Sequence, residues 1–134
     1  MVKKAIIEIC GVQNYGDSTD TVRQKFLGTF EERDVEYTLH YSESKAQRVT
    51  LRVMKEKPRL ELVRNRSALI IDPGKRYICE YETEAGAAVL GISGTSVRAE
   101  IGAEKGTVYF AYKIDTNGEH LSKNEVTVNF RFKA

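Results

Sequence analysis

The sequence predicts an all-β fold: an up-and-down antiparallel meander closed into a barrel of about 8–10 strands. Three observations predict it. Apolar and polar residues alternate with a period of two over most of the chain, which puts one set on a buried face and the other in water. Short turn signals separate the alternating stretches, so neighbours in sequence are joined as hairpins. No stretch sustains the 3.6-residue period of an amphipathic helix. A two-sheet sandwich would satisfy the same alternation. Consecutive hairpins without long crossovers favour the meander, and closure removes exposed strand edges.

The clearest unit is Asp34 to Val53. Val35, Tyr37, Leu39 and Tyr41 alternate with Glu36, Thr38 and His40; after the polar link Glu43 to Ala46, Val49, Leu51 and Val53 alternate with Arg48, Thr50 and Arg52. Before it, a strand over Lys4 to Val12 turns Ala5, Ile7 and Ile9 inward, and the polar segment Gln13 to Thr21 reads as a loop. A second strand, Val22 to Glu31, carries Val22, Phe26 and Phe30 in one phase, with Gly28 in that phase marking a bend. After the central hairpin come Arg59 to Asn65, with Leu60 and Leu62 inward, and the short apolar strand Ala68 to Asp72. Asp72-Pro73-Gly74-Lys75 is a turn, because proline presets φ and glycine accepts a positive value. Arg76 to Thr83 turns Tyr77, Cys79 and Tyr81 inward against Glu80 and Glu82. Ala87 to Ser93 and Thr95 to Ala103 read as two strands broken by a turn at Gly94. Val108, Phe110, Tyr112 and Ile114 share the inner face of the next strand, leaving Tyr109 and Ala111 outside. Asn117-Gly118 is a hairpin dipeptide leading to the last strand, with Val126, Val128, Phe130 and Phe132 inward.

The bulk composition narrows the function classes. A chain of 134 residues, 41% hydrophobic and 30% charged, reads as one barrel domain over 1–134 with a full core. A net charge of +2 disfavours a nucleic-acid partner. The start of the chain shows no signal-peptide core, and no apolar run has the length of a membrane span. With no disulfide framework in Cys10 and Cys79, this points to the cytoplasm.

Particular motifs are shared with a known family. Through Tyr37-Thr38-Leu39-His40-Tyr41-Ser42-Glu43, Leu62-Val63-Arg64, Tyr81-Glu82-Thr83-Glu84-Ala85-Gly86, Lys105-Gly106, the strand Val108 to Ile114 and His120-Leu121-Ser122-Lys123-Asn124, the chain resembles the YwiB-like family. These are small bacterial proteins of unknown function with a calycin-like, or lipocalin-like, barrel. The likeness spans roughly Ile6 to Phe132. It implies the barrel, a bacterial cytoplasmic setting and room for a ligand, and it brings no catalytic or binding residues. This sequence differs at two turns: Asn65-Arg66 replaces an arginine followed closely by glycine, and Glu84 stands where proline is frequent.

No catalytic constellation is readable. His40 and His120 are isolated on polar faces, and two histidines with two cysteines have no metal-ligand spacing. Gly91, Gly94 and Gly102 are scattered and form no phosphate loop, and no serine sits in a nucleophile elbow. No catalytic residue, metal or cofactor is therefore expected, and an enzyme is disfavoured. Arg48, Arg52, Arg59, Arg64 and Arg66 are read as a solvated basic face interrupted by Glu56 and Glu61.

The tyrosines are the most informative polar groups, since Tyr37, Tyr41, Tyr77, Tyr81 and Tyr112 all fall in phase with core residues. Tracing strand directions gathers the loop Gln13 to Thr21, the hairpin tip at Glu43, Arg64 and Tyr81 at one end of the barrel. Arg64 continues the inward phase of Leu60 and Leu62; Glu43 continues that of Tyr37, Leu39 and Tyr41. The expected ligand-binding set is therefore Arg64, Tyr41, Tyr81, Glu43, Tyr37 and Tyr112, with Gln13 to Thr21 as a lid. Arg64 and Glu43 form either a rim ion pair or the polar end of a pocket, in which the arginine meets an anionic or polar ligand group. The leading reading is a small-molecule-binding barrel for an apolar or amphipathic ligand. The alternative is a structural or protein-interaction module with a filled barrel, meeting a partner or a second copy through exposed Tyr109.

Overall fold

The computed structural model describes residues 2–65, 67–83 and 85–133; the side chains of residues 81–83 lie outside the description. Its ten strands are β1 (Val2–Asn14), β2 (Thr19–Glu32), β3 (Glu36–Ser44), β4 (Gln47–Met54), β5 (Leu60–Arg64), β6 (Ser67–Ile71), β7 (Arg76–Thr83), β8 (Gly86–Ile101), β9 (Lys105–Thr116) and β10 (Glu119–Phe132). All join one antiparallel sheet in the order β6-β5-β4-β3-β2-β1-β10-β9-β8-β7. Each strand pairs with the next in sequence except at β6 and β7, while β1 closes onto β10 from Ala5↔Phe132 to Asn14↔Lys123.

The cylinder is thus nearly closed, with its seam between β6 and β7. Side chains and turns bridge that seam where ladders do not. The Cys79 thiol donates to the Ala68 carbonyl at 3.6 Å, and the Tyr77 hydroxyl donates to Asp72 Oδ2 at 3.4 Å. The turn after β6 is tied to β8 by Gly74 N to Gly94 O and Gly94 N to Lys75 O, each 3.1 Å.

The inward phase read from alternation builds the core. Ala5, Ile7, Phe30, Leu39, Leu51, Leu60, Ile71, Val108, Phe110, Val128 and Phe130 are buried together. One end is packed solid by rings: Phe30 lies 5.3 Å from Phe130 and 5.0 Å from Phe132, with Tyr37 5.9 Å away. Such ring pairs contribute about 0.5–1.5 kcal/mol beyond their buried area. Phe130 covers Gly106 opposite it, where a Cβ would strike the ring.

Several expectations are refined. Gly94 does not turn the chain: β8 is continuous from Gly86 to Ile101 and only bulges between Gly94 and Ser96. A Cβ at Gly94 would press on the backbone of Asp72, so glycine serves a close approach there and not a reversal. The loop Gln13 to Thr21 is also mostly strand. Gln13 pairs with Asp20 and Asn14 with Thr19, leaving a turn over 15–18 held by Tyr15 N to Ser18 O, 2.9 Å, and Gly16 N to Asn14 Oδ1, 2.8 Å. Backbone ladders form irrespective of side-chain polarity, so a polar stretch with a paired neighbour extends the hairpin. Val22 lines the cavity, as its inward phase implies, yet stays 54% exposed because β2 meets β3 only from Gly28 to Glu32. At Gly28 the His40 carbonyl and Ile7 leave no room for a Cβ, and the first half of β2 stands beside β1 alone.

Candidate functional site

The barrel is not packed throughout. Toward the end opposite the ring cluster it holds a cavity of about 280 Å³. Its depth is lined by Ile9, Leu51, Leu62, Leu69, Phe110, Val126 and Val128, the inward residues of six strands. Its mouth is lined by Gln13, Asp20, Gln24, Tyr41, Arg64, Tyr112 and Asn124. The division has a simple origin. On β1, β2, β3, β5 and β10 the inward phase continues past the last aliphatic residue into polar ones, so period two carries polar side chains inside at one end only.

Arg64, at the end of β5, is anchored through its Nε, which donates to Glu43 Oε1 at 2.8 Å. Its terminal nitrogens hydrogen-bond no group among the described residues. Glu43 is itself mostly covered. Tyr41 and Tyr112 lie within electrostatic reach of the guanidinium. Burial pushes the Tyr41 hydroxyl up to about 12 against the opposing pull of Arg64, and Glu43 adds to the rise. Burial likewise raises Tyr112, again opposed by Arg64. Both phenols are therefore neutral near pH 7 and can donate or accept a hydrogen bond. Phe26 stacks on Tyr41 at 4.9 Å and Phe110 on Tyr112 at 6.1 Å, which fixes the two rings in place.

Of the residues the sequence singled out, Arg64, Glu43, Tyr41 and Tyr112 are brought together. Tyr37 is not: four residues from Tyr41, about 13 Å along an extended strand, it belongs to the ring cluster, with the Lys55 ammonium 5.1 Å from its centroid. The backbone of Tyr81 pairs with Ala88, and its side chain lies outside the described ones. Sequence reasoning missed Ser122 and Asn124, which are buried, and placed Gln13 at this end only as the start of a lid. Asn124 Nδ2 donates to Ser122 Oγ at 3.1 Å, and Gln13 Nε2 does so at 3.5 Å. Their signal was present: Ser122 and Asn124 are in phase with Val126 and Val128, and Gln13 with Ile7 and Ile9.

Outside the barrel, His40 is exposed with Nδ1 3.1 Å from Thr50 Oγ1, and His120 is exposed as well. Among the described residues no three His, Cys, Asp or Glu side chains gather as metal ligands would. Tyr109 lies outside the core cluster with the Arg98 guanidinium 4.5 Å above its ring. Asn65, with φ 39°, forms the turn after Arg64; its side chain accepts from Arg48 N at 3.2 Å and donates to the Ala46 carbonyl at 2.8 Å. The other divergent turn residue, Glu84, lies outside the described residues. Among the described residues no helix is long and apolar enough to cross a membrane.

The same architecture occurs in a solved structure. The chain is similar to the crystal structure of the ywiB protein from Bacillus subtilis, with a TM-score of 0.82 at 15% identity, covering 99% of this chain and 94% of that one. At that identity the likeness speaks for the fold. No curated protein matches the sequence. The family described as Domain of unknown function (DUF1934) matches residues 7–128, so the chain belongs to that family of YwiB-like barrels.

Proposed function

We propose that the barrel is a binding vessel for a small amphipathic molecule, held without chemical change. The observation that carries this reading is the cavity: about 280 Å³, apolar at depth, with Arg64, Tyr41, Tyr112 and Asn124 at its mouth. Its volume is at the small end of ligand pockets, which run to about 300–1,000 Å³. The apolar lining would bury a short hydrocarbon body, and the mouth offers donors for one polar group. A calycin-like naming, a bacterial origin and a cytoplasmic setting belong to the same proposal. The β1–β10 closure, the likeness to the Bacillus barrel and two unpaired thiols support them.

Binding is tested with 1-aminoanthracene, a neutral reporter that brightens in apolar cavities. Saturable brightening is expected, and Val126→Trp, which fills the cavity, should abolish it; equal brightening in that variant would refute the reading. Arg64→Ala should weaken displacement of the reporter by eight-carbon amphipaths by about tenfold or more, since a hydrogen bond to a charged group contributes about 1.5–3 kcal/mol. The melting temperature should hardly move, because a partly exposed ion pair stabilises by only about 0–1 kcal/mol.

A further inference from the structure

We infer that the polar end of the ligand is an uncharged carbonyl group, best an amide, and neither a carboxylate nor an ammonium; this rests on the binding role proposed above. Arginine in a cavity suggests an anionic ligand, but here its charge is already answered. Arg64 Nε is held by Glu43 Oε1 at 2.8 Å, so the pair is neutral as a unit. Asp20 lines the same mouth and makes no ion pair among the described residues. Glu125 borders it from the outward phase of β10, where it also interacts with Tyr109. With Arg64 at +1 and Glu43 and Asp20 at −1 each, a carboxylate would enter a negative mouth while losing its hydration. An ammonium suits that net charge but carries only donors, so it gives the terminal nitrogens of Arg64 and the two phenols no acceptor.

What the mouth lacks is a partner for particular atoms. The terminal nitrogens of Arg64 are donors without a protein acceptor among the described residues. Tyr41 and Tyr112, held neutral by burial, line the same cavity and can each donate a hydrogen bond. Asn124, which lines the cavity, commits its Nδ2 to Ser122 Oγ, and its carbonyl oxygen accepts no hydrogen bond among the described residues. A carbonyl oxygen answers the donors, and an amide N–H answers Asn124. The guanidinium keeps Glu43 throughout, so no charge has to be stripped of its partner.

The test compares three probes of equal length, octanamide, octanoate and octylamine, as displacers of 1-aminoanthracene at about pH 7.5. Octanamide should bind about tenfold tighter than either charged probe, equivalent to about 1.4 kcal/mol. Glu43→Gln, whose amide oxygen can still accept from Arg64 Nε but no longer balances its charge, should tighten octanoate relative to octanamide by about tenfold. Asp20→Asn should move octanoate in the same direction without touching Arg64, which covers the case in which Glu43→Gln fails to fold. Tighter binding of octanoate than octanamide by the wild type, or octanoate affinity unmoved in both variants, would overturn the assignment while the binding role stands. If the reporter binds but none of the three probes displaces it, the head-group assignment also falls. If the reporter itself does not bind, the binding role falls and takes this inference with it.

Discussion

Phe110 and Asp115, five residues apart on β9, illustrate how much a side chain's contribution depends on which face it occupies. Phe110 is 2% exposed, at the floor of the cavity and stacked against Tyr112. Phe110→Ala should destabilise the fold by roughly 3–5 kcal/mol in urea denaturation, and a loss under about 1 kcal/mol would remove it from the core. Asp115 stabilises by charge. The Arg76 guanidinium reaches across β8 to hold both its oxygens, at 2.9 and 2.7 Å, with help from Gly118 N at 3.0 Å. Those bonds, Arg76 first, hold the carboxyl down at about 2. A depressed folded-state pKa gives stability that is fully present above the ordinary carboxylate value near 4 and is lost as pH falls through about 2. The melting-temperature gap between the wild type and Asp115→Asn should therefore be constant above about pH 5 and shrink between about pH 4 and 2. Gly91 lies directly under the guanidinium, and any Cβ there would collide with it. Gly91→Ala should accordingly raise the Asp115 titration seen by carboxyl NMR.

Among the elements, β8 and β2 are the ones whose shape depends on a glycine. The bulge at Gly94 lets β8 bend across the turn after β6, and that turn is hydrogen-bonded to it on both sides. A methyl group at Gly94 would press on backbone, which cannot rotate away. Gly94→Ala is thus expected to cost roughly 1–3 kcal/mol, as overpacking does, with the midpoint of urea unfolding as the measure. At Gly28, β2 stops pairing with β3, and the residues before it meet only β1. That departure brings Asp20 and Gln24 to the cavity mouth and leaves Val22 exposed. Pattern alone assigned Asp20 to a loop and Val22 to the core, because the place where a strand loses its neighbour depends on the neighbour.

Across the whole molecule, strand order sets a gradient of protection. β1 lies between β10 and β2, and β10 between β1 and β9, each with long ladders on both sides. β6 and β7 each pair on one side only and meet at the seam through side chains and turns. Amides of β1, β9 and β10 should exchange slowest with deuterium and those of β6 and β7 fastest, since local opening follows the number of ladders to be broken. Uniform protection around the barrel would mean that the seam is as firmly closed as any ladder. The seam also explains why the meander was legible and its interruption was not: Asp72-Pro73-Gly74-Lys75 reads as a hairpin turn in any sequence, yet here it is tied to β8 instead of zipping its own two strands.

Alternation by itself determined the all-β class, the up-and-down order and the inward set from Ala5 to Phe132, because period two is a local property each strand carries in its own residues. It also put Arg64, Glu43, Tyr41 and Tyr112 in phase with the core, so half of the candidate site was readable as faces and ends of strands. Only the tertiary structure decided that the interior is solid around Phe30 and hollow above Phe110, since that depends on side-chain volumes summed over strands remote in sequence. It alone decided that Tyr37 belongs to the packed end, and that Gln13, Ser122 and Asn124 bond one another across β1 and β10. The balance of charge at the mouth was likewise its to decide: phase lets a side chain face inward, but the Nε–Oε1 contact between Arg64 and Glu43 spans 21 residues and exists only because β3, β4 and β5 pair in this register.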